Sequence, residues 1–319
     1  MSLNLAGLAA YTDETGMDLI KASILKGRTA DIVRVQGGIK STAAINIIGS
    51  SLTAQAGACG WNAQGTTSLT QRDLSVCDIK VNESICLNDL EGYYTQVMMN
   101  PGSYNENIPF EQIFAEEKRD VIMALVDDLF WKGSTNATRV FGNVTVSATT
   151  NYTLCNGLLE TLDHTAASAS TVVTSLSGTA FSAGSAIAIV DAMIAAVPQD
   201  VMDATDLVLF LSYADFRTYA TALRNANLFH YSGAESQGDN FSLMVPGSNV
   251  RVYAVRGLAS TKYKVLTPAS NIYFGTDLLG DAENFNIWYS KDNDEVRFLA
   301  KWKQGANIAF PQFVVKHTA

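Results

Sequence analysis

The chain has 319 residues, 47% of them apolar and 17% charged, enough to bury a sizeable core and unlike the composition of a disordered chain. Its 31 acidic and 22 basic side chains leave a net charge of −9, which excludes a sequence-reading nucleic-acid binder, because phosphate contacts need clustered Lys and Arg. No basic n-region opens the chain and no apolar run approaches roughly 18 residues, so neither a signal peptide nor a transmembrane helix is expected.

Residues 1–40 read as an arm. Met17, Ile20 and Ile24 predict one side of a short helix from Thr12 to Lys26, with Gly27 as its stop. One such helix cannot bury itself, so the arm needs another surface. It is locally basic, with Lys21, Lys26, Arg28, Arg34 and Lys40 against Asp18 and Asp31.

Residues 41–92 change character. STAAINIIGSSLTAQAG and TSLTQRDLSVCDIKVNESICL predict two long extended segments around the glycine-rich tip AGACGWNAQGT. Alternation is clear in the second, where Leu74 and Val76 oppose Ser75 and Cys77, and Ile79 and Val81 oppose Lys80 and Asn82. A two-stranded ribbon is marginal in water, so this one must lie against something its local sequence does not supply.

PFEQIFAEEKRDVIMALVDDLFWKGS predicts the strongest helix, over 108–133. Ile108 is held out of the helical region by Pro109, which suits the first helical position, and Gly133 is a stop. Glu111 in the first turn and Lys132 in the last complement the helix dipole. Phe110, Phe114, Val121, Leu125 and Leu129 form the expected buried stripe, with Glu116 to Asp120 and Asp127-Asp128 on the solvated remainder.

Short strands, including RVFGNVTVSA, and a helical turn at NGLLETL follow, and then an α/β pattern. GSAIAIVDAMIAAVP predicts a helix with Ile187, Val190, Ile194 and Val197 on one face. DLVLFLS predicts a strand buried on both sides, Ser212 with Asp215 a capping box opening the next helix, and NVRVYAVRGL another strand. The segment FNIWYSKDNDEVRFLAKWKQGANIAFPQFVV predicts three strands, turned at Asp292-Asn293-Asp294 and at Gly305.

Little catalytic chemistry is legible. Cys59, Cys77, Cys86 and Cys155 form no C-x-x-C pair and His164, His230 and His317 lie far apart, so no zinc site is read and the cysteines are expected to be reduced thiols of a cytoplasmic protein. QAGACGWN around Cys59 has the glycine-flanked look of a papain-like nucleophile, but the second Cys is absent and His164 has no orienting Asn or Asp context. VQGGIKST carries Ile39 where a phosphate loop needs Gly, and DNDE at 292–295 lacks the Gly and closing Glu of a calcium loop. No catalytic residue, cofactor or metal is assigned, and the chain reads as a non-enzyme.

Arm, ribbon, long helix, α/β unit and closing strands, in that order, resemble the major capsid proteins of tailed phages with the Hong Kong 97-type fold. The similar wording is NGLLETL, VRVYAVRGL and NIYFGTDLLGDAENFNIWYSKDNDEVRFLAKWKQG. The resemblance implies an α+β capsid fold. Residues 1–40 would be the N-terminal arm, 41–92 an extended β-ribbon loop over an adjacent subunit, and 93–154 a peripheral domain around the spine helix 108–133. Residues 155–262 would be the α/β axial domain and 263–319 the closing strands of the peripheral domain.

It further implies self-assembly into hexamers and pentamers of an icosahedral virion shell that encloses double-stranded DNA without reading its sequence. The subunits would assemble in the host bacterial cytoplasm with no membrane, beside a separate scaffolding protein, a portal and decoration proteins. For the inter-subunit contacts, the basic Lys21, Lys26, Arg28 and Arg34 are expected to meet acidic Asp73, Asp78, Glu83 and Asp89 of the ribbon, or Glu116 and Glu117 of the spine. An encapsulin-like shell for protein cargo and a cysteine peptidase using Cys59 are the alternatives.

Overall fold

The computed structural model describes residues 28–57, 63–86, 110–147, 151–165, 174–226, 242–278, 286–290 and 295–318. The expected helix from Thr12 to Lys26 and the turn at Asp292-Asn293-Asp294 lie outside them. Helix α1 (Arg28–Ile32) leads into strand β1 (Arg34–Gln36), and β2 (Thr42–Ser51), β3 (Thr66–Ser75) and β4 (Cys77–Cys86) follow. Helix α2 (Phe110–Lys132) is roughly 34 Å long at 1.5 Å per residue. Beyond it come β5 (Val140–Phe141), β6 (Val144–Thr145), a helical turn at Leu158–Glu160, and β7 (Thr174–Ser177). Helix α3 (Ala186–Ala195), β8 (Leu207–Leu211), helix α4 (Tyr213–Asn225), β9 (Ser242–Met244) and β10 (Arg251–Ala254) form the α/β unit. The chain closes through β11 (Tyr263–Pro268), β12 (Ile272–Gly275), β13 (Asn286–Ser290), β14 (Glu295–Ile308) and β15 (Val315–Thr318).

Two main sheets organise these strands. Around β14, a five-stranded sheet has the order β1-β12-β14-β13, with β4 also paired to β14. The other is six-stranded, in the order β7-β15-β11-β8-β10-β9. In its middle, β8 is buried at every position, as its unbroken apolar run requires, and Ser212 Oγ accepts a hydrogen bond from the Asp215 N–H to open α4. Helix α3 packs here through Ala186, Ile189, Val190 and Met193, so its face turns slightly from the expected one and leaves Ile187 and Ile194 half-covered.

The closing segment does not form one sheet. β12, β13 and β14 belong to the five-stranded sheet, whereas β11 and β15 belong to the six-stranded one. Nor does Gly305 turn the chain, because β14 runs straight through it. Glycine is needed there for close approach: a Cβ would meet the Ser75 carbonyl oxygen at 2.2 Å.

The spine helix α2 lies on the five-stranded sheet through Ile122, Val126, Leu129 and Phe130, in one core with Ile79, Phe298, Ala300 and Trp302. The stripe is therefore displaced from the expected one, and Val121 is 57% exposed. Apolar residues occupy two neighbouring tracks on α2, and only the sheet beneath selects between them.

Asp127, expected on the solvated face, is buried. One of its oxygens accepts from the Thr29 hydroxyl and the other from the Gly257 N–H at 2.9 Å, while Trp131 Nε1 donates to Thr29 Oγ1 at 3.0 Å. Burial pushes the Asp127 carboxyl above its ordinary range, against the lowering effect of these hydrogen bonds. Gly257 is close-packed in its turn, since a Cβ would lie 2.1 Å from Trp131 Cδ1.

Candidate assembly surface

The β2–β3 hairpin is one ribbon with two environments. Its register runs from Thr42 opposite Ser75 to Ser51 opposite Thr66. At the root, Ile45 and Leu74 are buried with Ile39 and Ala309, and Ala43, Ile47, Val76, Tyr273 and Phe310 pack around them. Toward the tip, Ile48 faces Leu69 across the strands, yet they are 68% and 78% exposed, and Leu52 is 89% exposed. Isolated exposed aliphatics are ordinary; here two of them face each other across paired strands.

The side-chain parity change between Leu74/Val76 and Ile79/Val81 marks the end of the ribbon. At Val76 the backbone N–H donates to the Ser41 carbonyl at 2.8 Å, and β4 then leaves the hairpin to pair with β14 from Cys77–Gln304 to Cys86–Glu295. Half of the second extended segment is thus a sheet strand with a core of its own chain beneath it. At this junction Cys77 is disulfide-bonded to Cys155, 78 residues on, with the Cα atoms 5.7 Å apart. This corrects the expectation that all four cysteines are free thiols. Sequence spacing could not show it, because the neighbours are created by the fold.

The residues expected at subunit contacts are scattered. Lys21, Lys26 and Asp89 lie outside the described residues, as do the side chains of Arg28, Glu116 and Glu117. Arg34 is exposed, with its guanidinium 5.1 Å from the centre of the Tyr273 ring. Asp78 pairs with Lys303 at 3.0 Å and Glu83 with Lys118, both within the chain. Asp73 is exposed, and its carboxylate has no ion pair among the described residues; its backbone carbonyl accepts from Asn307 Nδ2 at 2.6 Å.

The face of β4, β13 and β14 opposite the core was not singled out from sequence. Lys80 stands across from Lys301, Asp78 from Lys303, and Arg297 between Ser84 and the 40%-exposed Trp288. Two of these cations are matched within the face, Arg297 to Glu295 and Lys303 to Asp78, each at 3.0 Å, and strand alternation alone does not show it because the pairing is set by the fold.

Catalytic geometry is thin. The cleft of about 490 Å³ between α3 and the loop before β10 is lined by Ile194, Val197, Met202, Leu207 and residues 247–250, none of them titratable. Lys264 and His317 are neighbours across β11 and β15, and both are fully buried. Lys264 Nζ lies 3.6 Å from Asp215 Oδ2 and 5.0 Å from the centre of the Phe181 ring. Burial lowers the pKa of both Lys264 and His317. Neither residue lines that cleft. Among the described residues no cluster of three or more His, Cys, Asp or Glu could hold a metal, and no helix is long and apolar enough to cross a membrane. Cys59 lies outside the described residues.

Comparison with solved structures decides the fold. A chain of the satellite phage P4 procapsid that includes the size-determination protein is 11% identical and superposes with a TM-score of 0.54, covering 94% of this chain and 98% of that one. The chain has the fold of a tailed-phage capsid protein. Gordonia phage Cozz (10% identity, TM-score 0.54, 92% and 86% covered) and the capsid of Myoviridae phage XM1 (10%, 0.53, 93% and 91%) share this capsid fold over nearly their whole length. No protein-family model and no curated protein matches the sequence, so the likeness is carried by the backbone.

Proposed function

We propose that this chain is the major capsid protein of a tailed phage, of the Hong Kong 97 type, assembling as hexamers and pentamers of an icosahedral shell around double-stranded DNA. The observation that carries the reading is the distal ribbon. Ile48 and Leu69 are held out on regular strands, and Leu52 just past the end of β2, with no covering surface among the described residues, and the overall fold is that of phage capsid subunits. Full burial of each side chain against a neighbour would contribute about 1.5–3 kcal/mol, repeated at every subunit.

Charge would set the register of that docking. The basic arm, Lys21, Lys26, Arg28 and Arg34, would meet acids of an adjacent subunit. Asp73 is the ribbon acid best placed for this, because Asp78 and Glu83 already hold cations of their own chain. Each exposed pair is worth under about 1 kcal/mol, so the charges select orientation while the apolar pair supplies affinity.

The test is electron microscopy and sizing of the purified protein beside an Ile48→Asp/Leu69→Asp variant. Closed shells, tubes or discrete capsomers from the parent, and monomers from the variant, support the proposal. A monomeric parent at every concentration would sink it. Shells that enclose a protein cargo in place of nucleic acid would redirect it to an encapsulin-like compartment.

A further inference from the structure

We propose that Cys77 and Cys155 form a redox-dependent lock between the ribbon and the spine helix, open while subunits assemble in a reducing host cytoplasm and closed once particles meet an oxidising medium. The inference rests on the phage-capsid reading for its sequence of environments; the lock itself stands on the position of the bond.

That position is specific. Cys77 is the first residue of β4, one step past the junction where the ribbon ends, and Cys155 lies beyond β6, in the bend just before the helical turn at Leu158–Glu160. Around Cys155 the Gly157 N–H donates to the Gly133 carbonyl at 2.7 Å and the Ser134 N–H to the Tyr152 carbonyl at 2.8 Å, so this bend is tied to the end of the spine. On the other side, the Val76 N–H donates to Ser41 and Asn307 Nδ2 to the Asp73 carbonyl, which fix the junction against β2 and β14. Each sulfur thus sits on an element that has hydrogen bonds of its own besides the disulfide. On the proposal these contacts hold the reduced thiols near each other, and oxidation then makes the ribbon root and the segment docked on the end of the spine one covalent unit.

The two sulfurs differ in access. Cys155 is 4% exposed, whereas Cys77 is half-buried. In the closing reaction with oxidised glutathione, the Cys77 thiolate attacks one sulfur of the small disulfide, forming a mixed disulfide and expelling one glutathione thiolate. The Cys155 thiolate then attacks Cys77 Sγ and expels the second. Two protein thiols lose two electrons and two protons in net, and one glutathione disulfide becomes two thiols. A cytoplasmic thiol pool drives the same exchange backwards, so the bond closes only when that pool is left behind.

The experiment alkylates thiols inside intact producing cells, maps the cysteine peptides without reduction, and repeats the mapping after purified protein has met oxidised glutathione. The expected result is Cys77 and Cys155 alkylated in cells, a linked 77–155 peptide after oxidation, and at least a 10-fold longer lifetime of oxidised particles in guanidinium. Cys77→Ser and Cys155→Ser should show no lifetime change on oxidation. If one variant fails to fold, the other and the wild type held in reductant supply the comparison. A link already complete in cells, no link after oxidation, or a link that leaves the lifetime unchanged would each overturn the lock. Absence of shells in both redox states, with the linkage behaving as expected, would instead overturn the capsid reading.

Discussion

The root and the tip of the β2–β3 ribbon share one backbone pattern and have opposite chemistry. Strand pairing is continuous over ten residue pairs, yet Leu74 at the root is 0% exposed while Leu69, five residues away, is 78% exposed. Backbone hydrogen bonds define the ribbon along both strands, whereas among the described residues its apolar packing against the rest of the chain is at the root. An exposed two-stranded tip cannot bury apolar surface by itself, and in the assembly proposed above its aliphatic side chains would be covered by a second molecule. On that proposal the packed root sets the strand geometry in which the tip is presented.

The largest effect that would break this comparison is removal of the root's covalent tie. In the loop-entropy account a 78-residue loop closed by Cys77–Cys155 is worth about 4.5 kcal/mol. Denaturation of the reduced and oxidised protein should therefore differ by several kcal/mol, with no difference in Cys155→Ser. Next, Leu74→Ala should cost about 3 kcal/mol, because its side chain is fully enclosed by Ile39, Ile45 and Ala309. Urea unfolding measures it, and a loss below about 1 kcal/mol would mean the root is not a core.

Smaller still, Thr29→Val should cost about 1–3 kcal/mol by leaving Asp127 and Trp131 short of a buried partner, read as a lower unfolding midpoint. Ile48→Asp with Leu69→Asp should move subunit stability by less than about 0.5 kcal/mol while abolishing assembly. If the double substitution destabilised the isolated subunit, the tip would be packed on its own chain and the contrast with the root would vanish.

A pH scan offers the finest distinction. Burial first, and then the neighbouring Lys264, depresses the His317 pKa, with Asp215 acting in the opposite sense. The folded protein thus favours neutral His317, while the unfolded chain takes up a proton near pH 6.5. This contribution to stability is fully present above pH 6.5 and is lost as pH falls below it. Acid should weaken the six-stranded sheet in the parent and less in His317→Gln, and a ribbon probe should not register the difference.

Local pattern was enough for elements whose determinants lie within one or two turns of chain. The long helix appears with its C-terminal end at Lys132, Ser212 caps α4 as its spacing implied, and the apolar run at 207–211 is a strand buried throughout. The order of these elements also carried the capsid resemblance. Partners far apart along the chain were another matter. Hydrophobic periodicity placed Val121 in the buried stripe, but the sheet under α2 covers Ile122 and Val126. Glycine chemistry suggested a turn at Gly305, but the approach of Ser75, 230 residues earlier, is what requires it. The acids Asp78 and Glu83 looked free for a neighbour and are matched to Lys303 and Lys118. Cys77 and Cys155 gave no local sign of pairing. The physical reason is common to all four: propensity, capping and periodicity act over a few residues, whereas burial, ion pairing and disulfide formation depend on which distant surfaces the sheets bring into contact.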